Sequence, residues 1–436
     1  MADNEVIEGK AKIVTNSNIF YNPVQEFNRD MSVLALTVFA EQFKSSGRDT
    51  AKKRTHTFAN AETVPADTAD SSQDGIIVLE ALAATGLRSI RYALEVPKIK
   101  SVIANDCSVQ AVETINRNIS ENAVENLVKA VNHDAVWLMQ KLNFENKIVH
   151  AIDLDPYGCP TRFLDSAVNC VCDGGLLMIT CTDMAVLAGN TPETCYVKYG
   201  SVSLRSCACH EIVNIAAMSN FKSDGGPIWT GPLHDSNFID AMLQKVEHCE
   251  LVTTKRIVGM LSLIQEELAD VPLYYTVDAL CGKIHCQMIP LVEFRSALLN
   301  AGYRVSLSHC RTNSVKTDAP HTFIWDILRC WAKKYPVSKK RLQENSVTMA
   351  ILQKEPSVEV NFSFCKEAIS QSTSSGLLRY QQNPLPNWGP GTRSKSNVMN
   401  ADETSKKLQN QNKKSRLKNE VEKKVMFSNS MADTEG

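Results

Sequence analysis

The 436-residue sequence lacks long apolar runs, a strong net charge and the usual spacings of metal-binding cysteines. No stretch of about 18 apolar residues occurs, so we expect no membrane-spanning helix and no membrane partner. The first ten residues contain acids and no apolar centre, which is unlike a secretory signal. The net charge of −1 gives no overall attraction to nucleic acid, so any contact with phosphates must be local.

Cysteine usage gives no sign of a metal centre. None of the 14 cysteines forms a Cys-x-x-Cys pair, and Cys170 with Cys172 is separated by a single residue. Buried free thiols are the usual fate of cysteines in a reducing compartment. We therefore expect no bound metal and a location in the nucleus or cytoplasm. The acidic start is unlike a mitochondrial presequence, and a mitochondrial pool would need an alternative start codon.

Only part of a nucleotide-binding signature is present. Residues 76–80 form an apolar run that ends in Glu80, and a loop of small residues leads to a segment with helical spacing. This pattern predicts a strand, a tight loop and a helix, which lets a ligand approach the backbone at the carboxyl end of the strand. The loop contains Gly86 alone rather than three glycines, so a cofactor without a pyrophosphate is favoured.

Acidic side chains recur where apolar runs end. They are Glu80, Asp106, Asp134, Asp153 and Asp155. The repeated strand-then-helix units predict an α/β fold with a doubly wound parallel sheet. Asp106 lies 26 residues beyond Glu80, about the distance at which a carboxylate reaches ribose hydroxyls in such folds. A single acid at a strand end is more often a helix N-cap, but acids at four successive strand ends favour a shared site.

The most informative segment is Asp155-Pro156-Tyr157-Gly158, which follows the apolar run 148–152. An exocyclic amine of a nucleobase is a poor nucleophile, so a site that methylates it needs acceptors for the N–H groups and a ring that fixes the base. Asp155 and the following carbonyl supply the acceptors, and Tyr157 supplies the ring. The alternative is an ordinary turn, because Asp-Pro often ends a strand.

Together these motifs resemble the tRNA (guanine-26-N2)-dimethyltransferase family, in its eukaryotic form. The resemblance covers roughly residues 8–212 and 224–390. The matching stretches are residues 8–13, 20–25, 28–30, 84–91, 105–106, 153–158, 226–232, 270–275, 316–320, 383–384 and 387–390.

The resemblance implies a class I methyltransferase fold and S-adenosylmethionine as the methyl donor. Asp106 would hold the ribose hydroxyls, and Asp134 with Ala135 would meet the adenine. Arg29 and Arg88 would face the methionine carboxylate, which suits a guanidinium. The catalytic residues would be Asp155, Pro156 and Tyr157, with Asp155 orienting the guanine N2 amine.

The sequence departs from the family near residues 217–225. By analogy with the family, we expect roughly a hundred residues to be absent there, including the last strands of the catalytic sheet and a Cys-x-x-Cys motif of eukaryotic members. A sheet that ends early would expose an unpaired edge and apolar side chains. We expect this exposure at Leu176, Leu177 and Ile179. A splice form, a gene-model error and a true deletion remain equally open.

Three regions are expected. Residues 1–222 form the shortened methyltransferase domain, residues 223–335 a smaller α+β domain that helps to bind tRNA, and residues 336–436 a mostly disordered tail with a basic segment. The leading function is dimethylation of the N2 amine of guanine 26 in tRNA. The alternatives are a catalytically inactive tRNA-binding form and a methyltransferase for another nucleic-acid amine.

Overall fold

The computed structural model describes residues 4–15, 21–43, 75–183, 186–187, 192–199, 231–338 and 347–380. The strands are β1 (Asn4–Glu8), β2 (Ala11–Thr15), β3 (Ile76–Glu80), β4 (Ile99–Asp106), β5 (Val128–Asn132), β6 (Val149–Leu154), β7 (Val171–Ile179), β8 (Tyr275–Thr276), β9 (Val305–Ser306) and β10 (Ser314–Thr317). The first helices are α1 (Glu26–Gln42), α2 (Leu87–Glu95), α3 (Val109–Glu121), α4 (Ala135–Phe144), α5 (Thr161–Cys170) and α6 (Pro192–Tyr199). They are followed by Ser236–Lys245, Thr254–Gln265, Val277–Ile284, Leu291–Asn300, His321–Lys334, Val347–Gln353 and Gln371–Ser374.

A five-stranded parallel sheet forms the centre of the fold, in the order β5-β4-β3-β6-β7. Val78 and Val102 face a core that includes side chains of α1, α2 and α3. Leu79 and Ile152 face the opposite core, with side chains of α4 and α5. Helices on both faces of a parallel sheet confirm the predicted doubly wound α/β fold.

Local chemistry fixes the turns at the carboxyl ends of the strands. Gly86 has a φ of +77°, and a Cβ there would lie 3.1 Å from Ile115, so this close turn requires glycine. Ser108 accepts a hydrogen bond from the backbone N–H of Ala111 at the start of α3, as an N-cap serine does. The tight loop between β3 and α2 therefore lies where the sequence predicted it.

The hairpin of β1 and β2 packs on this domain through side-chain amides. Asn118 accepts a hydrogen bond from the Val14 N–H at 2.9 Å, and Asn122 accepts one from the Lys12 N–H at 2.9 Å. Both asparagines lie in or at the end of α3, more than a hundred residues away in the sequence. These contacts hold the hairpin beside the helical layer of the sheet.

The helices Ser236–Lys245 and Thr254–Gln265 also belong to the first core, through Met242, Ile257 and Leu261. A second core surrounds the antiparallel sheet β8-β10-β9 and includes the fully buried Trp325 and Trp331. The expected boundary at residue 222 lies outside the described residues. The division into domains therefore stays a proposal.

Part of the expected tail is folded. In residues 347–380, Ile351 and Val360 are buried in the second core. The basic segment farther along lies outside the described residues. In the part of the chain that the structure describes, no helix is long and apolar enough to cross a membrane.

Candidate functional site

The carboxyl ends of β3, β4 and β6 lie side by side and bring the acidic residues together. Glu80 is in register with Asp153, and Ala104 pairs with Glu80 on the other side. The Asn105 side chain donates to the carbonyls of Ala81 and His133, at 2.9 and 3.0 Å. It thereby joins the end of β4 to the loops that follow β3 and β5. The ends of these strands therefore lie together at one edge of the sheet, as the sequence predicted.

Arg88 links the acids of β6 to helix α1. Its Nη1 donates to Ser32 Oγ at 3.0 Å and to Asp153 Oδ2 at 3.2 Å, and its Nη2 donates to Asp155 Oδ2 at 2.7 Å. Arg88 and Asp153 are both buried. The guanidinium therefore holds the two aspartates in fixed positions, a role that the sequence did not predict for it.

Asp153 lies deeper than Asp155 and is only 1% exposed. Its Oδ2 also accepts a hydrogen bond from the Tyr92 hydroxyl. Burial raises the pKa of Asp153, and the attraction of Arg88 opposes this rise. Its Oδ1 is buried and accepts no hydrogen bond from the described residues. A buried acceptor in this state is suited to a donor from a ligand.

Asp155 is half-buried, Pro156 is buried, and the Tyr157 ring is 74% exposed. Partial burial of the hydroxyl, and then the charges of Asp106 and Asp155, raise the pKa of Tyr157. Tyr157 therefore stands within electrostatic range of both carboxylates. An exposed ring beside a partly exposed carboxylate is the pair of groups that the sequence predicted for a nucleobase.

The loop after Asp155 is tied to the segment that follows β7. Gly158 has a φ of +79°, which favours glycine. Its N–H donates to Thr182 Oγ1 and its carbonyl accepts from the Thr182 N–H, both at 3.1 Å. The position of Tyr157 consequently depends on how well β7 is held.

Asp106 lies between two loops. Its Oδ2 accepts the Ala84 N–H and its Oδ1 accepts the Ser108 N–H, both at 2.9 Å. Ala84 has a positive φ of 48°, which brings its N–H toward this carboxylate. A carboxylate oxygen accepts more than one hydrogen bond, so each retains capacity for a ribose hydroxyl.

Asp134 acts as the N-cap of α4. Its Oδ1 accepts from the N–H groups of Val136 and Trp137, and its Oδ2 accepts from Arg162 Nη2 at 2.6 Å. Ala135 is buried at the first position of the helix. The N-cap alternative is thus confirmed for Asp134, and Arg162 is the neighbour that an adenine would have to displace or pass.

Arg29 belongs to an adjoining buried network. It is paired with Glu8 through two nitrogens and donates to the carbonyl of Asn22 at 3.1 Å. Glu8 also accepts from Arg91, which in turn contacts Asp30 at 2.8 Å. Arg29 lies one helical turn before Ser32, the residue that binds Arg88. The hydrogen bonds of Arg29 therefore join α1 to the hairpin and to the Asn22 carbonyl, and none of them reaches a strand-end acid, so its place at the methionine carboxylate stays a prediction.

Sequence reasoning located the strand-end acids but missed several of their partners. Glu80 accepts from both the N–H and the hydroxyl of Ser89, and burial followed by repulsion from Asp153 raises the pKa of Glu80 to about 8. Ser89 lies in the matched stretch 84–91 and Tyr92 directly follows it, so both could have been singled out there. Glu8 and Asp30 also lie in matched stretches, but their partner Arg91 is distant in the sequence, so the pairing itself could not be predicted.

The comparisons with known proteins agree with this geometry. A family model for N2,N2-dimethylguanosine tRNA methyltransferase matches residues 2–217 and 214–329. The chain belongs to this family. Two similar proteins carry the name tRNA (guanine(26)-N(2))-dimethyltransferase. The one from Drosophila melanogaster is 39% identical over 95% of this chain and 91% of its own length. The one from Homo sapiens is 38% identical over 94% of this chain and 81% of its own.

A solved structure of Trm1 from Pyrococcus horikoshii with S-adenosyl-L-methionine has a similar fold. Its TM-score is 0.58 and its sequence is 27% identical, over 73% of this chain and 98% of that one. The likeness supports the class I methyltransferase fold that the resemblance implied.

The comparisons also agree with an internal gap. The alignment with the Drosophila relative runs over 527 positions, so at least 91 of them face no residue of this 436-residue chain. The two matched pieces of the family model meet at residues 214–217, close to the expected position of the gap. That junction itself lies outside the described residues.

Proposed function

We infer that the chain methylates the exocyclic N2 of guanine 26 in tRNA, giving N2,N2-dimethylguanosine, with S-adenosylmethionine as the methyl donor. The observation that carries this proposal is Asp155, held by buried Arg88 at the end of β6, with the exposed Tyr157 ring beside it. Family membership supports the substrate, and the named relatives act on the same guanine.

The carboxylates at the strand ends can accept hydrogen bonds from the donor groups of the cofactor. The buried Asp153 Oδ1 suits the α-ammonium group, and Asp106 suits the ribose hydroxyls. We propose Arg88 and Arg29 for the methionine carboxylate side, and Asp134 with Ala135 for the adenine. When bound, S-adenosylmethionine supplies an electrophilic methyl group.

The chain's own residues would position the nucleophile. Asp155 would accept hydrogen bonds from the N2 amine of the guanine and so orient the lone pair of that amine. The base would stack on the Tyr157 ring. Arg88 keeps the Asp155 carboxylate aligned, because its buried guanidinium donates a hydrogen bond to Asp155 Oδ2 at 2.7 Å. Orientation by groups that are already fixed lowers the barrier without reorganisation during the reaction.

Asp155→Asn tests this role. The asparagine keeps an acceptor for Arg88 but loses the charge, so methyl transfer to unmodified tRNA should fall by about 10²- to 10⁴-fold. Affinity for S-adenosylmethionine should change little, since the lost interaction belongs to the transition state. Asp165→Asn, an exposed change in α5, is the matched control. A variant that keeps more than about a tenth of the wild-type rate would contradict the role of Asp155.

A catalytically inactive tRNA-binding form is the second candidate, and the 91 or more alignment positions that face no residue of this chain favour it. A wild-type chain that binds tRNA and transfers no methyl group would support this candidate. Incorporation into tRNA with guanine at position 26, and none into tRNA with adenine there, would support the enzyme.

We further propose tRNA as the partner, the nucleus or cytoplasm as the location, and an additional mitochondrial pool from an alternative start codon. A relative from Saccharomyces cerevisiae that is 30% identical has "mitochondrial" in its name. Imaging of a tagged chain expressed from each start codon tests the location.

A further inference from the structure

A cluster of two histidines and a glutamate lies outside the strand-end site. His234 precedes helix Ser236–Lys245, Glu267 follows helix Thr254–Gln265, and His309 lies between β9 and β10. Glu267 Oε2 is 3.0 Å from His234 Nε2 and 2.7 Å from His309 Nδ1. The three candidate ligand atoms lie within 4.8 Å of one another.

The two oxygens of Glu267 have different surroundings. The side chain is 1% exposed, and its Oε1 lies 3.8 Å from the buried Lys316 Nζ. Lys316 also donates to the Leu268 carbonyl at 3.1 Å, which fixes its position. The lysine therefore balances the charge on Oε1, while Oε2 faces the two imidazole nitrogens. A carboxylate fixed in this way by an outer partner is typical of metal ligands.

The cluster is open on the side of the histidines. The side chains of His234 and His309 are 18% and 28% exposed, so an ion and a water ligand could reach them. His309 Nε2 lies 3.6 Å from Cys310 Sγ, which orients the ring so that Nδ1 faces Glu267.

We propose that His234, Glu267 and His309 bind a Zn²⁺ ion, with water in the fourth position. Two imidazoles and one carboxylate oxygen form a common donor set for zinc. The ion would join the segment before helix Ser236–Lys245, the end of helix Thr254–Gln265 and the second core. The sequence-based expectation of no metal rested on cysteine spacing, which cannot detect three ligands from three separate segments.

Glutamine substitutions separate a metal site from a hydrogen-bonded cluster. His234→Gln and His309→Gln each keep a side-chain N–H that can donate to Glu267, but they remove an imidazole ligand. His248→Gln, at an exposed histidine outside the cluster, is the matched control. The full chain and each variant are stripped with a chelator and titrated with ZnCl₂ by calorimetry. Melting temperature is measured with and without the metal.

The wild type and His248→Gln should bind one more equivalent of zinc than His234→Gln and His309→Gln, or bind it at least about tenfold more tightly. Zinc should raise their melting temperature, and the two cluster variants should lose that rise. Other thiols contribute equally to all four proteins. If one cluster variant fails to fold, the other still decides the comparison. Equal zinc binding and an equal change in melting temperature in all four proteins would overturn the proposal.

Discussion

Replacement of Arg88 by methionine should destabilise the fold strongly. The change removes the charged partner of Asp153, which is 1% exposed, and among the described residues it leaves the Tyr92 hydroxyl as the single hydrogen-bond donor to this carboxylate. Loss of one partner of a buried ion pair costs about 3–5 kcal/mol, because the remaining charge is neither solvated nor paired. Since a domain is stable by only about 5–15 kcal/mol, this loss should be measurable by urea unfolding at pH 7.

Two further variants identify the cause of the lost stability in Arg88→Met. Arg88→Met combined with Asp153→Asn should regain most of the stability, because no unpaired charge then remains. Arg162→Met removes an arginine whose pair with Asp134 is exposed, and should cost less than about 1 kcal/mol.

The loss in Arg88→Met should also depend on pH. Burial already raises the pKa of Asp153, and removal of Arg88 should raise it further. Protonation then neutralises the orphaned group, so the variant should lose less stability at pH 5 than at pH 8. The reasoning is refuted if Arg88→Met costs less than about 1 kcal/mol, or if the double variant is no more stable than the single one.

Three other outcomes follow from the same site. Asp106→Ala should weaken S-adenosylmethionine binding by about a hundredfold, because two charge-assisted hydrogen bonds are lost, and unchanged affinity by calorimetry would remove Asp106 from the ribose site. The pKa of Glu80 is about 8 in the fold against 4.5 as its ordinary value, so its contribution to stability is complete below about pH 4.5 and is lost as the pH rises through 8. Glu80→Gln should flatten this dependence in urea titrations between pH 5 and 8, and an unchanged slope would show that Glu80 is not its source. Insertion of the absent family segment should raise both the melting temperature and methyl incorporation, and equal values would show that the segment is dispensable.

The strand-end acids could be located from the sequence because each follows an apolar run, and parallel strands bring their carboxyl ends to one edge. The contacts that those acids make could not be predicted from the sequence. Glu8 reaches Arg91 across 83 residues, and Arg88 reaches Asp155 across 67. Periodicity describes which face of an element is buried, but it does not identify the partner of a charged group. Arg88 was therefore assigned to the cofactor alone, although its nitrogens also hold the acids of β6.

The packing of helices Ser236–Lys245 and Thr254–Gln265 on the first core was unpredictable for a related reason. Their apolar spacing would suit either core equally well. The choice depends on contacts such as the one between Asp30 and the Thr253 N–H, at 2.9 Å, which joins α1 to the start of the second helix. Only the folded chain reveals that these residues meet.

The expected exposure along β7 is only partly present. Ile179 is 44% exposed, but Leu176 and Leu177 are half-buried, since they pack against the cores on opposite faces of the sheet. In the part of the chain that the structure describes, no strand pairs with the outer edge of β7. The absence of further strands therefore leaves unpaired backbone groups along β7 more than it exposes apolar side chains. An unpaired strand edge is free to fray or to associate with another strand. Because Thr182 fixes Gly158 through two hydrogen bonds, fraying of β7 would displace Tyr157 as well. A shortened sheet can thus retain the residues proposed for the cofactor at the ends of β4, β5 and β6 and still hold the guanine poorly.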